Sequence, residues 1–321
     1  MRAVFGIVAL TVAVWGTPGR AGELPVQIKG PSGALTVDAM GVSLAPPVAA
    51  CPSSLATGEA WWSLVLEPAP DKAGGEIVLD SAAQAAPRIK QTRDGVKLIY
   101  DGPLSDGKKR YDVSLELTAR AKDGAFELGG ELRNTTRDWV VKLFTGPVFT
   151  GIKADLAQTP LLMPYGFGYR FCCEPRQTKK KEWNSVAWSK AGDLFVLSSA
   201  YPSHLGTMQW FAFAGETSGL YFGSHDPRYG AKALRVRYDP VRKAFGAAFQ
   251  HRIFVHAGER CALPPMIVRP YAGDWHAAAR AYRAWADSVG KQIEKPAWAQ
   301  TASGWLLAIL KQQNGEIMWP Y

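Results

Sequence analysis

The chain has 321 residues with a formal net charge of +9, and 47% of its residues are hydrophobic. This length suits one large all-β domain or two ordinary domains, and the apolar content excludes a disordered polar tract. The basic residues are scattered and form no recognisable nucleic-acid-binding module, so we expect no nucleic-acid partner. The exception is Lys179-Lys180-Lys181, which we interpret as a solvated loop, with an anionic ligand site as the alternative.

The first 21 residues have the pattern of an export signal. Arg2 gives a positive start, residues 3–15 are apolar, and Gly19-Arg20-Ala21 ends in a small residue. The apolar stretch is shorter than the roughly 20 residues that a bilayer span needs. We therefore predict cleavage after Ala21 rather than an uncleaved anchor, a periplasmic or secreted location, and no membrane span in the rest of the sequence.

The chain has four cysteines, Cys51, Cys172, Cys173 and Cys261. An oxidising compartment permits a disulfide from one of the adjacent pair to Cys51 or Cys261, and the sequence does not choose between these pairings. No Cys-x-x-Cys pair or histidine cluster provides the ligands of a zinc site. We expect no metal and no cofactor.

Residues 22–160 alternate between apolar and polar positions, with turn signals between the alternating segments. Period-two patterning predicts strands with one buried face, and this many antiparallel strands need a second sheet to cover that face. We therefore predict a mainly β fold, a large antiparallel β-sandwich. The clearest strands are at 33–38, 95–100, 111–117 and 125–128.

The segment 161–176, LLMPYGFGYRFCCEPR, interrupts this pattern with two glycines among aromatic residues. Glycine permits tight backbone, and aromatic rings offer flat apolar surface. One interpretation is a loop that presents rings such as Tyr165 to a sugar, and the other is a crossover packed in the core. The Gly-x-Gly pair lacks the third glycine and the following helix of a nucleotide-binding fingerprint.

Residues 201–227, YPSHLGTMQWFAFAGETSGLYFGSHDP, predict a hairpin with a polar tip. The aromatic-rich runs at 208–214 and 219–223 are joined by a short polar connector, which is typical of paired strands. The second run ends in Ser224-His225-Asp226-Pro227, and rigid strands can hold such a tip in place for a functional role. Further strands are expected at 234–238, 245–255 and 266–270, with a turn at 261–265.

The pattern changes after Gly273. Asp274 is the predicted N-cap of a helix that ends at Gly290, with one apolar stripe that includes Trp275, Tyr282 and Trp285. A linker follows, and residues 304–310, GWLLAIL, are then apolar throughout. A strand of this kind is buried on both faces, as in a parallel sheet or barrel.

Four stretches, YPSHLGTMQWFAF, GLYFGSHDP, YAGDWHAAARAYRAWAD and GWLLAILKQQNGEIMWPY, resemble bacterial glycoside hydrolases of the domain-of-unknown-function family 6259, related to the α-galactosidase-like clan. The resemblance is clearest over 201–321. It implies a galactose-mutarotase-like β-supersandwich at 22–272, a linker helix at 273–298 and the start of a (β/α)8 barrel at 299–321. The chain would then be the N-terminal part of an exported hydrolase of glycosidic bonds, with an oligosaccharide or polysaccharide substrate.

The resemblance also implies where the sugar would bind. Barrel active sites lie at the carboxyl ends of the strands, so Lys311, Gln312 and Gln313, which follow the strand at 305–310, would face the sugar. The two catalytic carboxylates of the clan lie on later barrel strands. We therefore expect no catalytic residue in this chain, and a missing barrel domain or partner chain at its C-terminus.

The sandwich of such enzymes can lend a loop to the barrel mouth, and the tip at 224–227 is the candidate. His225 would donate to a sugar hydroxyl, and Asp226 would accept from one. The alternative is that Asp226 caps a turn and His225 is merely exposed.

Two further functions come from other classes of protein. A non-catalytic carbohydrate-binding sandwich would use the abundant aromatic residues to stack on sugar rings. An exported structural or interaction module would dock its apolar C-terminal segment on a partner. No Gly-x-Ser-x-Gly elbow, phosphate-binding loop or His-Glu-x-x-His motif supports another enzyme class.

Overall fold

The computed structural model describes residues 26–30, 33–38, 41–45, 60–166, 168–175, 188–203, 206–290 and 297–298. Several predictions concern residues outside these ranges and stay predictions. They are the export signal, Cys51, the lysine run at 179–181, the apolar strand at 305–310, and Lys311, Gln312 and Gln313.

The described residues include 22 strands, a short 3-10 helix (Ser81–Ala83) and the helix α1 (Trp275–Val289). The first eleven strands are β1 (Val26–Gly30), β2 (Gly33–Asp38), β3 (Gly41–Ala45), β4 (Ser63–Pro68), β5 (Ile77–Asp80), β6 (Arg88–Gln91), β7 (Gly95–Tyr100), β8 (Leu104–Ser105), β9 (Arg110–Tyr111), β10 (Val113–Lys122) and β11 (Ala125–Asn134). The others are β12 (Trp139–Thr145), β13 (Phe149–Ile152), β14 (Leu161–Met163), β15 (Tyr169–Phe171), β16 (Trp188–Ala191), β17 (Leu194–Tyr201), β18 (Trp210–Ala214), β19 (Ser218–Ser224), β20 (Lys232–Asp239), β21 (Ala244–Val255) and β22 (Arg260–Ala272).

Two large antiparallel sheets make up the sandwich. The nine-stranded sheet has the order β15-β14-β18-β19-β22-β11-β10-β7-β6. The eight-stranded sheet has the order β16-β17-β20-β21-β12-β4-β5, and β13 also pairs with β21. A three-stranded sheet, β1-β2-β3, and the pair β8-β9 complete the strands. The predicted fold class, a large antiparallel β-sandwich followed by a helix, is confirmed.

The core lies between the two large sheets, as the alternation of apolar residues predicted. In β10 every second side chain from Val113 to Ala121 is buried, which is the period that a strand imposes. Phenylalanines from both sheets meet in the middle, with ring centroids 5.4 Å apart for Phe211 and Phe249 and 5.4 Å apart for Phe213 and Phe245. Aromatic pairs at this separation add to the stabilisation from buried apolar area.

Strand β18, WFAFA, departs from the alternation because all five of its residues are buried. Phe211 and Phe213 face the core, whereas Trp210 and Ala212 belong to a second cluster that includes Ala278 of helix α1. The helix therefore covers the outer face of the nine-stranded sheet at this point. This second layer explains why the hairpin at 201–227 is apolar on both sides.

The predicted turn at 261–265 is wrong, because these residues lie inside the long strand β22. The pairing of β22 with β11 shifts register between Leu128 and Gly130, opposite Met266 and Leu263. Two prolines, Pro264 and Pro265, occupy the resulting bulge, where the missing N–H groups do not break the regular ladder. Adjacent prolines are typical of turns, but here the bulge accommodates them within a continuous strand.

The compact unit that holds the sheets ends at Trp285, and a second unit begins at Ala286. The predicted domain boundaries at 272 and 298 stay predictions. Cys172 is exposed, Cys261 is half-buried, and neither forms a disulfide with another described residue. In the described part of the chain, no helix has the length and apolar character needed to cross a bilayer.

Candidate functional site

The predicted tip connects the two large sheets. Strand β19 of the nine-stranded sheet ends at Ser224, and β20 of the eight-stranded sheet begins at Lys232. The backbone N–H of His225 donates to the carbonyl of Pro265 at 3.1 Å, and that of Tyr229 donates to the carbonyl of Asp226 at 3.1 Å. The tip is therefore a hydrogen-bonded crossover between the layers.

Asp226 is a buried carboxylate whose two oxygens both accept hydrogen bonds. Oδ1 accepts from the backbone N–H of Arg228 at 3.1 Å, and Oδ2 accepts from that of Gly230 at 3.0 Å and from Lys232 Nζ at 3.2 Å. Burial opposes ionisation, but the charge of Lys232 and the backbone N–H groups outweigh it and lower the pKa of Asp226. The carboxylate thus caps the turn at 226–230, as the alternative interpretation had it.

Lys232 is enclosed by polar and aromatic partners. Its Nζ donates to Gln209 Oε1 at 2.5 Å and lies 4.8 Å from the centre of the Tyr201 ring, which adds a cation–π contact. Gln209 Nε2 in turn donates to the carbonyl of Asp226 at 3.3 Å. Desolvation by burial lowers the pKa of Lys232, and the charge of Asp226 partly offsets this shift.

His225 is half-buried rather than exposed, because helix α1 covers one face of its ring. The ring stacks on Trp285 with centroids 4.8 Å apart, and Nε2 lies 2.9 Å from the hydroxyl of Tyr221. Burial, reinforced by the charges of Arg269 and Lys122, lowers the pKa of His225 to about 4. The imidazole is therefore neutral near pH 7.

Helix α1 reaches this site because its sequence specifies both its start and its apolar stripe. Asp274 precedes the helix, and its Oδ1 accepts from the backbone N–H of His276 at 3.1 Å, which is the N-cap role predicted for it. One stripe then carries Tyr282 and Trp285 onto the sheet. The hydroxyl of Tyr282 accepts from the backbone N–H of Gln209 at 3.3 Å, so the helix and the polar network share a residue.

Tyr165 follows β14 and forms an antiparallel bridge with Gly206. It is half-buried against the core, and its ring is 5.6 Å from that of Tyr169 in an edge-on contact. Packing against the core agrees with the crossover interpretation of this segment. The predicted substrate-binding roles of Tyr165, His225 and Asp226 stay predictions, and the structure does not bring Tyr165 together with the other two through any described contact.

Sequence reasoning missed a cleft of about 340 Å³ on the outer face of the eight-stranded sheet. The alternation in β20 did carry a signal, because Leu234, Val236 and Tyr238 face the core and leave Arg237 and Asp239 on the other face. Residues that line the cleft include Lys153, Leu194, Arg237, Asp239, Arg242 and Gly246.

No protein-family model and no curated protein matches the sequence. Among solved structures, alpha-N-acetylgalactosaminidase NagBb from Bifidobacterium bifidum, in complex with GalNAc, shares 14% identity over 83% of this chain and 39% of that chain, with a TM-score of 0.55. The GH36 alpha-galactosidase AgaB from Geobacillus stearothermophilus shares 9% identity over 90% of this chain and 44% of that chain, with a TM-score of 0.46. A galactose mutarotase-like protein from Lactobacillus casei shares 12% identity over 77% of this chain and 100% of that chain, with a TM-score of 0.47.

Of these three likenesses, that to NagBb has a TM-score above 0.5. At 14% sequence identity it shows the fold alone. This chain spans 39% of the length of NagBb. The predicted membership of domain-of-unknown-function family 6259 stays a prediction.

Proposed function

We propose that this chain is the β-sandwich portion of a carbohydrate-active protein of the glycoside hydrolase class. One observation carries the proposal, the likeness to NagBb over 83% of this chain with a TM-score of 0.55. NagBb is an alpha-N-acetylgalactosaminidase by name, which is a glycosidase, and the motif resemblance within 201–321 leads independently to the same class. Since fold likeness does not transfer a substrate, the proposal names glycosides as a class and no particular sugar.

In this proposal the sandwich is a support and the hydrolytic carboxylates lie outside the chain. The polar groups of the tip at 225–232 are engaged with one another, which suits a structural role. Asp226 and Lys232 are buried, and their side chains bind each other and Gln209. Export through the signal at 1–21 belongs to the same proposal.

A second candidate is a non-catalytic carbohydrate-binding sandwich, which the cleft on the eight-stranded sheet favours. Its volume of about 340 Å³ is within the range of small-ligand sites, about 300–1,000 Å³. A support domain does not need such a cleft.

The coding region around the chain tests the first candidate. We expect it to encode, in frame or in an adjacent gene, alternating strands and helices with two carboxylates at strand ends. The purified chain should not hydrolyse nitrophenyl glycosides. Turnover by this chain, or a coding region without such a segment, would contradict the proposal.

Glycan-array binding by the full chain tests the second candidate. Binding to at least one class of glycan is expected. A folded sample that binds no glycan rejects the carbohydrate-binding role. The support role is then judged by the coding-region test alone.

A further inference from the structure

Two cysteines, Cys172 and Cys173, lie side by side on the surface, directly after the edge strand β15 of the nine-stranded sheet. Both are exposed, and the chain bends at Cys173. The residues on either side of this exposed arch at 172–174, Phe171 and Pro175, are buried. The two thiols therefore lie next to each other on a short arch that is anchored at both ends and open to solvent.

The anchor at the start of the arch is an aromatic contact between the two sheets. Phe171 is 1% exposed, and its ring centroid lies 5.9 Å from that of Tyr169 and 5.9 Å from that of Trp188. Trp188 belongs to β16 of the eight-stranded sheet. Since the anchor is buried and the cysteines are exposed, a bond between their side chains does not require the core to move.

Cys261 is out of reach of this pair. Its strand, β22, lies four strand steps from β15 in the nine-stranded sheet. Neighbouring strands are about 4.8 Å apart, so four steps amount to roughly 19 Å, whereas the Cα atoms of a disulfide lie at most about 7 Å apart. Cys261 also pairs with Leu132 of β11, on the far side of β22 from β15. Among the described cysteines, each member of the pair therefore has only the other within reach.

We propose that Cys172 and Cys173 form a redox-active dithiol, which a low-molecular-weight disulfide oxidises to a disulfide between the two neighbours. One protein thiolate attacks a sulfur of the small disulfide, forms a mixed disulfide and releases one small thiolate. The other protein thiolate then attacks the protein sulfur of the mixed disulfide and releases the second small thiolate. Two electrons pass to the small disulfide, and the protons of the two protein thiols end on the two released thiols.

The closed pair should open again in the presence of reducing thiols. A disulfide between adjacent residues closes a ring that contains the peptide bond between them, and this constraint strains the disulfide. Strained and exposed disulfides are the ones that thiols reduce readily. The pair is therefore a reversible redox site rather than a structural cross-link, and this inference does not depend on the proposed glycoside hydrolase class.

The test is peptide mapping of the full chain after equilibration with glutathione disulfide or with dithiothreitol. Remaining thiols are alkylated before digestion with trypsin. Cleavage after Arg170 and Arg176 releases the pair in one peptide, residues 171–176, whereas Cys51 and Cys261 fall in other peptides. A bond within the pair is thus distinguished from a bond to another cysteine.

After treatment with glutathione disulfide, we expect this peptide to remain single, to lack two hydrogen atoms and to carry no alkyl group. Dithiothreitol should restore two thiols that can be alkylated. Cys51→Ser and Cys261→Ser are the matched controls and should leave this result unchanged. In Cys172→Ser or Cys173→Ser, both at exposed positions, the remaining thiol should stop at the mixed disulfide with glutathione.

Several results would overturn the inference. A peptide joined to the one that contains Cys51 would show a structural cross-link, and a peptide joined to a second copy of itself would show a bond between chains. Alkylation of both cysteines after oxidation, or glutathione on them without a closed pair, would show that the neighbours do not bridge. None of these results bears on the glycoside hydrolase assignment, which the coding-region test judges.

Discussion

Lys232 and Asp226 form a buried ion pair at the crossover between the two sheets. Lys232 Nζ lies 3.2 Å from Asp226 Oδ2, and the two side chains are 0% and 2% exposed. Asp226 lies two residues after the end of β19 in the nine-stranded sheet, and Lys232 is the first residue of β20 in the eight-stranded sheet. The pair, with Gln209 beside it, therefore fixes the connection between the layers.

Removing Lys232 should destabilise the fold strongly. In Lys232→Met the carboxylate of Asp226 stays buried without its cation, and breaking such a pair from one side costs about 3–5 kcal/mol. Urea unfolding of the purified chain measures the change in the free energy of unfolding. The double variant Lys232→Met with Asp226→Asn should recover part of the loss, because the uncompensated charge is gone.

The matched control is Lys72→Met. Lys72 Nζ lies 3.3 Å from Asp138 Oδ1, but both side chains are largely exposed, so water screens the pair and no measurable change is expected. Similar unfolding midpoints for Lys72→Met and Lys232→Met would show that the buried pair does not stabilise the crossover.

His251 should make the fold less stable in acid. Its side chain is 1% exposed, it lies between Phe144 and Phe249, and neither ring nitrogen has a hydrogen-bond partner among the described residues. Burial, with the charge of Lys232 added, lowers the pKa of His251 to about 3. As the pH falls below about 6.5, the unfolded chain binds a proton that the folded chain does not. The free energy of unfolding should therefore fall on the order of 4–5 kcal/mol between about pH 6.5 and the folded pKa.

The variant His251→Leu isolates this contribution from that of the carboxylates. At pH 7 it should be as stable as the wild type, or about 1 kcal/mol more stable, since it removes an unsatisfied polar ring. Its unfolding free energy should then depend less on pH than that of the wild type. Parallel pH profiles for the two proteins would mean that His251 does not titrate differently in the folded state.

Local patterns in the sequence predicted much of the fold. The expected strands at 33–38 and 95–100 coincide with β2 and β7, because strict alternation marks both their ends and their buried face. The helix after Gly273 also begins where Asp274 caps it. These features depend on neighbours along the chain, so a single sequence contains the information.

The parts that sequence did not predict depend on contacts between distant residues. Lys232 opens a strand and resembles an exposed lysine, yet Gln209 and Tyr201, far back in the chain, enclose it. The cleft likewise needs Lys153 and Arg237, which belong to separate strands or their ends. For Asp226, the sequence agreed equally with a turn cap and with a sugar ligand. The structure shows the turn cap through the hydrogen bond that the backbone N–H of Gly230 donates to the carboxylate.

A methyl group at Gly223 should disturb the contact between Tyr221 and His225. A Cβ atom at Gly223 would lie 2.3 Å from the hydroxyl oxygen of Tyr221, which is itself 2.9 Å from His225 Nε2. Because the tyrosine is buried, the ring cannot move freely, and overpacking of this kind costs about 1–3 kcal/mol. Chemical denaturation of Gly223→Ala measures the loss. The control is Gly75→Ala, because a Cβ atom there would have no other atom within 4 Å, and its effect on stability should be close to neutral. Gly107→Ala is not a suitable control, because Gly107 has a φ of +87°, which strains any other residue.

The stack of Trp285 on His225 should hold helix α1, from its start to Trp285, on the sheet. The ring planes of the two residues are inclined by 16°, and Tyr282 lies next to Trp285 with centroids 5.4 Å apart. In Trp285→Ala this aromatic contact is lost, and a half-buried tryptophan should cost about 1–3 kcal/mol, less than the full-core value. Hydrogen exchange should accelerate across the backbone amides of α1 while the β20–β21 ladder stays protected.

Trp275→Ala, at a position that is 47% exposed at the start of the same helix, is the control and should leave exchange in the rest of α1 unchanged. No acceleration in Trp285→Ala, or equal acceleration in both variants, would show that the contact with His225 does not specifically hold the helix on the sheet.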